Sequence, residues 1–184
     1  MPAWLALPPE GLSRAGYEAL PEEVRRCLEV VDGAVVVRPA PPSEHERVLG
    51  RLATVLTEVC GPDWEVAIRV DLRLRERPLL NRRPDLVVHR SSRGGAPAPE
   101  RCILITEVVS RDSATVDRRG KPVQYAAAGV PPYWRVEGVD RGEVSLFRYR
   151  LDPTTRVYAP AGVDTGKATV AEPFAVTLDL AALL

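Results

Sequence analysis

Between residues 43 and 60 apolar side chains recur at Val48, Leu49, Leu52, Val55, Leu56 and Val59, the three-and-four spacing that lines one face of an α-helix. A helix is expected over 44–60, opened by Ser43-x-x-Glu46 as a capping box and stopped at Gly61. The period then changes to two. Val66, Ile68, Val70, Leu72 and Leu74 alternate with Glu65, Arg69, Asp71 and Arg73, predicting one strand over 64–74 with a single wet face. Ahead of the helix, the apolar runs 27–31 and 34–37 flank Asp32-Gly33, a pair suited to the positive φ angles of a tight hairpin turn. Residues 85–89 and 101–109 are almost continuously apolar and are separated by a Ser/Gly/Pro loop over 91–100, so they read as central strands buried on both faces. A short helix is expected over 119–128, ended by Gly129, with Pro122 tolerable only in its first turn. Strands over 132–136, 143–150, 156–158 and 169–176 and a helical turn over 178–184 complete the pattern.

Helices interspersed with strands make this an α/β chain, a mixed sheet flanked by helices. Its 184 residues, 45% of them hydrophobic, suffice for one domain with a core of its own. The expected division is an N-terminal arm over 1–20, a core over 21–178 and a C-terminal turn over 179–184. Charge then narrows the function: 25 basic residues balance 25 acidic ones, so no overall positive field draws the chain to nucleic acid or an anionic membrane. Any such partner must meet a local patch, and 69–83, with six arginines against Asp71 and Glu76, is one. The three cysteines are widely spaced and odd in number, which argues against a disulfide framework or a zinc ribbon. With no leader-like start and no long apolar run, a cytoplasmic protein without membrane contact is expected. Only two of the basic residues are lysines, Lys121 and Lys167, so chemistry that needs an ammonium has two candidates.

The run ILITEVV places one carboxylate, Glu107, inside an otherwise apolar strand, where an unpaired charge costs several kcal/mol. It needs a cation, a metal or a proton, and a core arginine would serve as well as a catalytic partner. Asp85 bears on the choice through register. If 85–89 and 101–109 are antiparallel neighbours, pairing 85 with 107 or 105 brings both carboxylates to one face, while pairing with 106 separates them. Converging carboxylates repel, and a hard divalent cation relieves them, with Mg²⁺ or Mn²⁺ suiting an all-oxygen site better than zinc. The simpler partner for Asp85 is Arg82 or Arg83. Tyr125, Tyr133 and Trp134 read as core or as base-stacking residues. The stretch TGKAT at 165–169 lacks the first glycine and the final hydroxyl residue of a phosphate loop, and no dinucleotide or serine-hydrolase signature occurs.

Taken in order, CLEVVDGAVVV, PPSEHERVLGRL, RRPDLVV, ILITEVVS and DRRGKPVQYAAAGVPPYW resemble the Uma-type restriction-endonuclease family of the PD-(D/E)XK nuclease superfamily, over about residues 20–178. The resemblance implies a restriction-endonuclease-like fold and metal-dependent hydrolysis of nucleic-acid phosphodiesters, DNA in the first instance. It implies Asp85 and Glu107 as metal ligands and Lys121 as the catalytic ammonium, moved from the usual strand position two residues after the glutamate, where Val109 stands, to the following helix. Glu29 and His45 match further family positions, as an additional ligand or a sheet-edge carboxylate and as a histidine at the first helix start. A homodimer is also in keeping with the resemblance. Two other readings remain: a nuclease-fold module that binds or assembles without cleaving, and a metal-free carbohydrate or nucleotide hydrolase using two carboxylates.

Overall fold

The computed structural model describes residues 10–91 and 97–184; the first nine residues and the centre of the loop expected at 91–100 lie outside the described residues. In chain order the elements begin with α1 (Arg14–Glu18), α2 (Glu22–Arg25), β1 (Leu28–Val31), β2 (Ala34–Val37) and α3 (Ser43–Val59). They continue with β3 (Trp64–Ile68), β4 (Leu72–Arg75), β5 (Leu80–Arg82), β6 (Leu86–Arg90) and β7 (Cys102–Val108). After a π-helical turn (Val116–Gly120) come α4 (Lys121–Ala127), β8 (Pro132–Glu137), β9 (Ser145–Asp152), β10 (Val157–Thr165), β11 (Lys167–Val170) and β12 (Val176–Asp179).

A six-stranded mixed sheet, ordered β10-β9-β8-β7-β6-β3, carries the fold, with β7 and β8 its one parallel pair, joined through α4. A four-stranded sheet, β2-β1-β5-β4, and the hairpin β11-β12 complete the architecture. This is the α/β mixed sheet that the sequence led us to expect. One face of the large sheet, bearing Leu86, Val88, Leu104, Val108, Trp134 and Val136, packs with the apolar stripe of α3 and with Leu178, Leu180 and Leu183 at the C-terminus. The opposite face, bearing Val87, Ile105 and Tyr133, packs with Leu72 of the small sheet and Tyr125 of α4. The first helix docks Tyr17 on Val30 and Leu79, so the arm is tied to the small sheet by its own apolar cluster.

Turn chemistry follows the sequence at the β1–β2 hairpin, where Asp32 and Gly33 take φ of 53° and 82°. Elsewhere the structure corrects the pattern. The 64–74 alternation is two strands, because Arg69 adopts φ of 50° and sends the chain from the large sheet into the small one. Periodicity survives the break since each strand still buries one side, Val66 against the α3 core and Leu72 against the opposite one. The run 169–176 is likewise a hairpin, with Val170 opposite Val176. Ser43 does not cap α3: Pro42 stands at the N-cap, its fixed φ starting the helix, while Ser43 bonds Glu44 and Glu46 pairs with Arg69.

Candidate active site

Strands β6 and β7 run antiparallel with Leu86 opposite Thr106 and Val87 opposite Ile105. One step further along that register, Asp85 faces Glu107, so both carboxylates leave the same side of the sheet, the side covered by α4 and the small sheet. This is the converging register of the alternatives. The Asp85 carboxylate also folds over the strand end, where its Oδ2 accepts the backbone N–H of Val108 at 3.0 Å.

Asp85 is 3% exposed and takes its partners from three segments. His45, from the first turn of α3, places Nε2 3.1 Å from Oδ2, while Arg38 Nη2 at 3.4 Å and Arg69 Nε at 3.8 Å approach Oδ1 more loosely. Burial opposes charge on Asp85, yet the His45 bond, the Lys121 charge and the Val108 N–H together hold its pKa below the usual carboxylate range. The expected pairing with Arg82 or Arg83 is not made. Arg82 binds Glu29 at 2.6 Å and Gln124 at 2.7 Å, and Arg83 binds Asp71 at 2.5 Å.

Glu107 has no exposed surface, and neither of its oxygens is free. Lys121 Nζ donates to Oε2 at 2.9 Å and Tyr125 Oη to Oε1 at 2.6 Å. Burial, reinforced by the negative charges of Asp117 and Asp85, outweighs the Lys121 ammonium and pushes the pKa of Glu107 up to about 8. For Lys121 the balance is reversed. Burial disfavours its charge, but Glu107, Asp117, Glu29 and Asp85 surround it and raise its pKa well above the ordinary lysine value.

The placement of Lys121 follows from Pro122. A proline has no N–H for the carbonyl four residues back and its ring crowds that carbonyl, so the preceding turn widens to π geometry, with Lys121 N–H bonded to Val116 O. Lys121 therefore opens α4 directly from the π turn that precedes it. The widened turn leaves the Asp117 carbonyl without an α-helical partner, and the Tyr133 hydroxyl supplies one at 2.7 Å. Asp117 is then held with Oδ1 2.8 Å from Lys121 Nζ, 1% exposed.

A cavity of about 580 Å³ opens over this cluster, with Glu29, Asp85, Asp117 and Lys121 among its lining; Glu107 does not line it. Of the residues singled out in the sequence, Asp85, His45 and Lys121 thus meet at one cavity, with Glu107 bonded to Lys121 from within the core. Glu29 lines the same cavity, its carboxyl held below the usual range: burial works against its charge, but Lys121, Arg82, the Arg83 N–H and Arg38 outweigh it. Tyr125, Tyr133 and Trp134 are buried and offer no stacking platform. His89 bonds Arg90 O and stays away from Asp85. Asp117 and Arg38 were not singled out, and Tyr125 was read as core or base-stacking, not as a partner of Glu107. The signal for two of them was present in Asp117-x-x-x-Lys121-x-x-x-Tyr125, a spacing that puts all three on one helix face.

Among the described residues no three His, Cys, Asp or Glu side chains are grouped to hold a metal ion, and no helix is long and apolar enough to cross a membrane. The donor chemistry nevertheless fits a hard cation. Asp85 lines the cavity and its Oδ1 has only long contacts, and Glu107, bonded to Lys121, is a second carboxylate on the same side of the sheet.

A search of curated proteins finds no match to the chain. Among solved structures, the chain is similar to "a putative nuclease belonging to DUF820 from Anabaena variabilis", with a TM-score of 0.67 at 17% identity over 92% of this chain and 95% of that one. That likeness is one of fold. The family model described as "Putative restriction endonuclease" matches residues 14–182, so the chain belongs to the Uma2 family.

Proposed function

We propose that the chain is a metal-dependent nuclease that hydrolyses nucleic-acid phosphodiester bonds, with Mg²⁺ or Mn²⁺ held by Asp85 and Glu107. The observation that carries this reading is that Asp85, at the entry to β6, and Glu107, on β7, lie on one side of the sheet, with Lys121 Nζ of the following helix 2.9 Å from the latter. When bound, the cation would supply Lewis acidity toward the scissile phosphate. Asp85, kept ionised by its neighbours, is the ligand ready at the cavity wall. Glu107 would be the second ligand. Asp117, with Oδ1 2.8 Å from Lys121 Nζ, holds that ammonium at the cavity wall, where it offsets charge that grows on the phosphate oxygens. Arg38, partly exposed at 21%, reaches the same wall and can bond a phosphate oxygen.

The experiment is a cleavage assay on purified protein with and without a chelator. Activity should require Mg²⁺ or Mn²⁺ and vanish in the Asp85→Ala/Glu107→Ala/Lys121→Ala variant, which controls for contaminating nuclease. Asp117→Asn should bind Mn²⁺ at least as tightly as wild type, since a charge that raises the Glu107 pKa is gone, and cleave about 10-fold or more slowly, a loss of roughly 1.4 kcal/mol in transition-state stabilisation. Cleavage that the triple variant abolishes but a chelator leaves intact would remove the metal-dependent reading. One feature favours the non-cleaving module: Lys121 and Tyr125 occupy both oxygens of Glu107. Failure of Mn²⁺ to bind at all would select that reading.

A further inference from the structure

The walls of the cavity differ from its floor, and the difference bears on the form of nucleic acid admitted. At the floor, Asp85 and Lys121 are only 3% and 4% exposed. A phosphate that reaches them must enter the cavity. In a duplex the phosphates ride on a stiff cylinder whose paired bases cannot follow one of them inward, whereas an unpaired strand bends freely.

The rim on the β2 side is apolar. It consists of Val36 and Val37, 41% and 71% exposed, and the run Pro39-Ala40-Pro41-Pro42. Such a rim offers nothing to a sugar-phosphate backbone and loses no hydrogen bonds against the flat face of an unstacked base. Duplex DNA keeps those faces hidden in its stack; a single strand shows them.

The guanidiniums around the cavity are mostly committed. Arg82 is bonded to Glu29, Arg69 to Glu46 and Arg26 to Glu22, leaving Arg38, at 3.4 Å from Asp85, as the one most available among the lining arginines. Specific duplex interfaces bury about 1,000–2,500 Å² of strongly positive protein surface. This chain carries no net charge, and its arginine-rich segment spends Arg73, Arg75, Arg82 and Arg83 on Glu18, Asp32, Glu29 and Asp71.

We propose that the cavity takes an unpaired strand, one or two nucleotides at a time, and excludes the intact duplex. Pockets of about 300–1,000 Å³ hold ligands of drug size, which a single nucleotide matches, and about 580 Å³ is available here. The phosphodiester goes to the charged floor, a base packs on the valine-proline rim, and the lack of Phe, Tyr and Trp in the lining, which forgoes the stacking that strengthens single-strand binding, makes binding brief. This inference rests on the nuclease reading for the chemistry but not for the binding preference, and the test separates them.

A labelled oligonucleotide of mixed sequence, free or annealed to its complement, is incubated with the full chain and Mn²⁺, and binding of both forms is measured by anisotropy in chelator. Single-stranded substrate should be cut at least 10-fold faster, and a hairpin should be cut in its loop. Equal or faster cutting of the duplex overturns the proposal. If neither form is cut but the single strand binds at least 10-fold more tightly, the nuclease reading fails and the substrate class stands; if the duplex binds as well as the single strand, the substrate class fails too. Val37→Asp should weaken single-strand binding about fivefold without changing Mn²⁺ affinity, and unchanged binding would remove the rim from the site.

Discussion

Burial and the charges of Asp117 and Asp85 together outweigh the ammonium beside Glu107 and push its pKa up to about 8. A cation can use this carboxylate only after the proton leaves. Mn²⁺ affinity should therefore rise up to tenfold per pH unit toward pH 8 and level off above it, as titration calorimetry at several pH values would read. Glu107→Gln should bind more weakly and lose that slope. The same proton acts on the metal-free fold with a fixed sign. The folded chain holds it and the unfolded chain does not, so this contribution is complete below about pH 4.5 and is lost as the pH rises through about 8. The sequence disclosed the need for a partner at Glu107, since a carboxylate amid ILIT and VV has few ways to exist. It did not disclose which partner, because Lys121 and Tyr125 reach Glu107 only through the packing of α4 on the sheet. His45 shows the converse: a helix-start position explained its sequence context, and only the approach of α3 to the strand end gave it Asp85.

Pro122 fixes the element that delivers the lysine. By denying an N–H to the carbonyl of Arg118 it sustains the π turn, in which Lys121 N–H bonds Val116 O and Asp117 O turns to Tyr133. Pro122→Ala should let the turn relax to α geometry, returning the Lys121 N–H to Asp117 O and rotating both side chains away from Glu107. Cleavage should fall about tenfold or more while the melting temperature holds or rises, since an interior proline is removed; a variant with wild-type activity would show that the turn does not position Lys121. This proline was visible in the sequence as an oddity in a helix, but as an early-turn residue it gave no sign of a widened turn before it. The other elements misjudged share a cause. Alternation reports which side of a strand is buried and is silent about the sheet it joins, so the crossing at Arg69 between β3 and β4 left no trace in the pattern, and neither did the reversal between β11 and β12.

At the scale of the molecule, the large sheet separates two tasks. Its α3 face holds the larger apolar cluster, closed by the C-terminal Leu178, Leu180 and Leu183, while its α4 face holds the carboxylates, the lysine and the cavity. The central strands were legible because they are apolar on both faces, whereas the tail was expected only as a helical turn, which Ala181–Leu183 forms, and a short run such as LAALL does not say what it packs against. Leu180 is wholly buried, so Leu180→Ala should cost about 2–5 kcal/mol and lower Tm by roughly 5–15 °C. The loss falls on the face away from the site. Below the new melting temperature the variant should therefore bind Mn²⁺ with wild-type affinity and keep its pH dependence, as unfolding by urea and metal titration on the same sample would show. A matching loss of affinity in the folded variant would mean that the sheet transmits strain from one face to the other, and that the C-terminal leucines belong to the structure that holds Asp85 opposite Glu107.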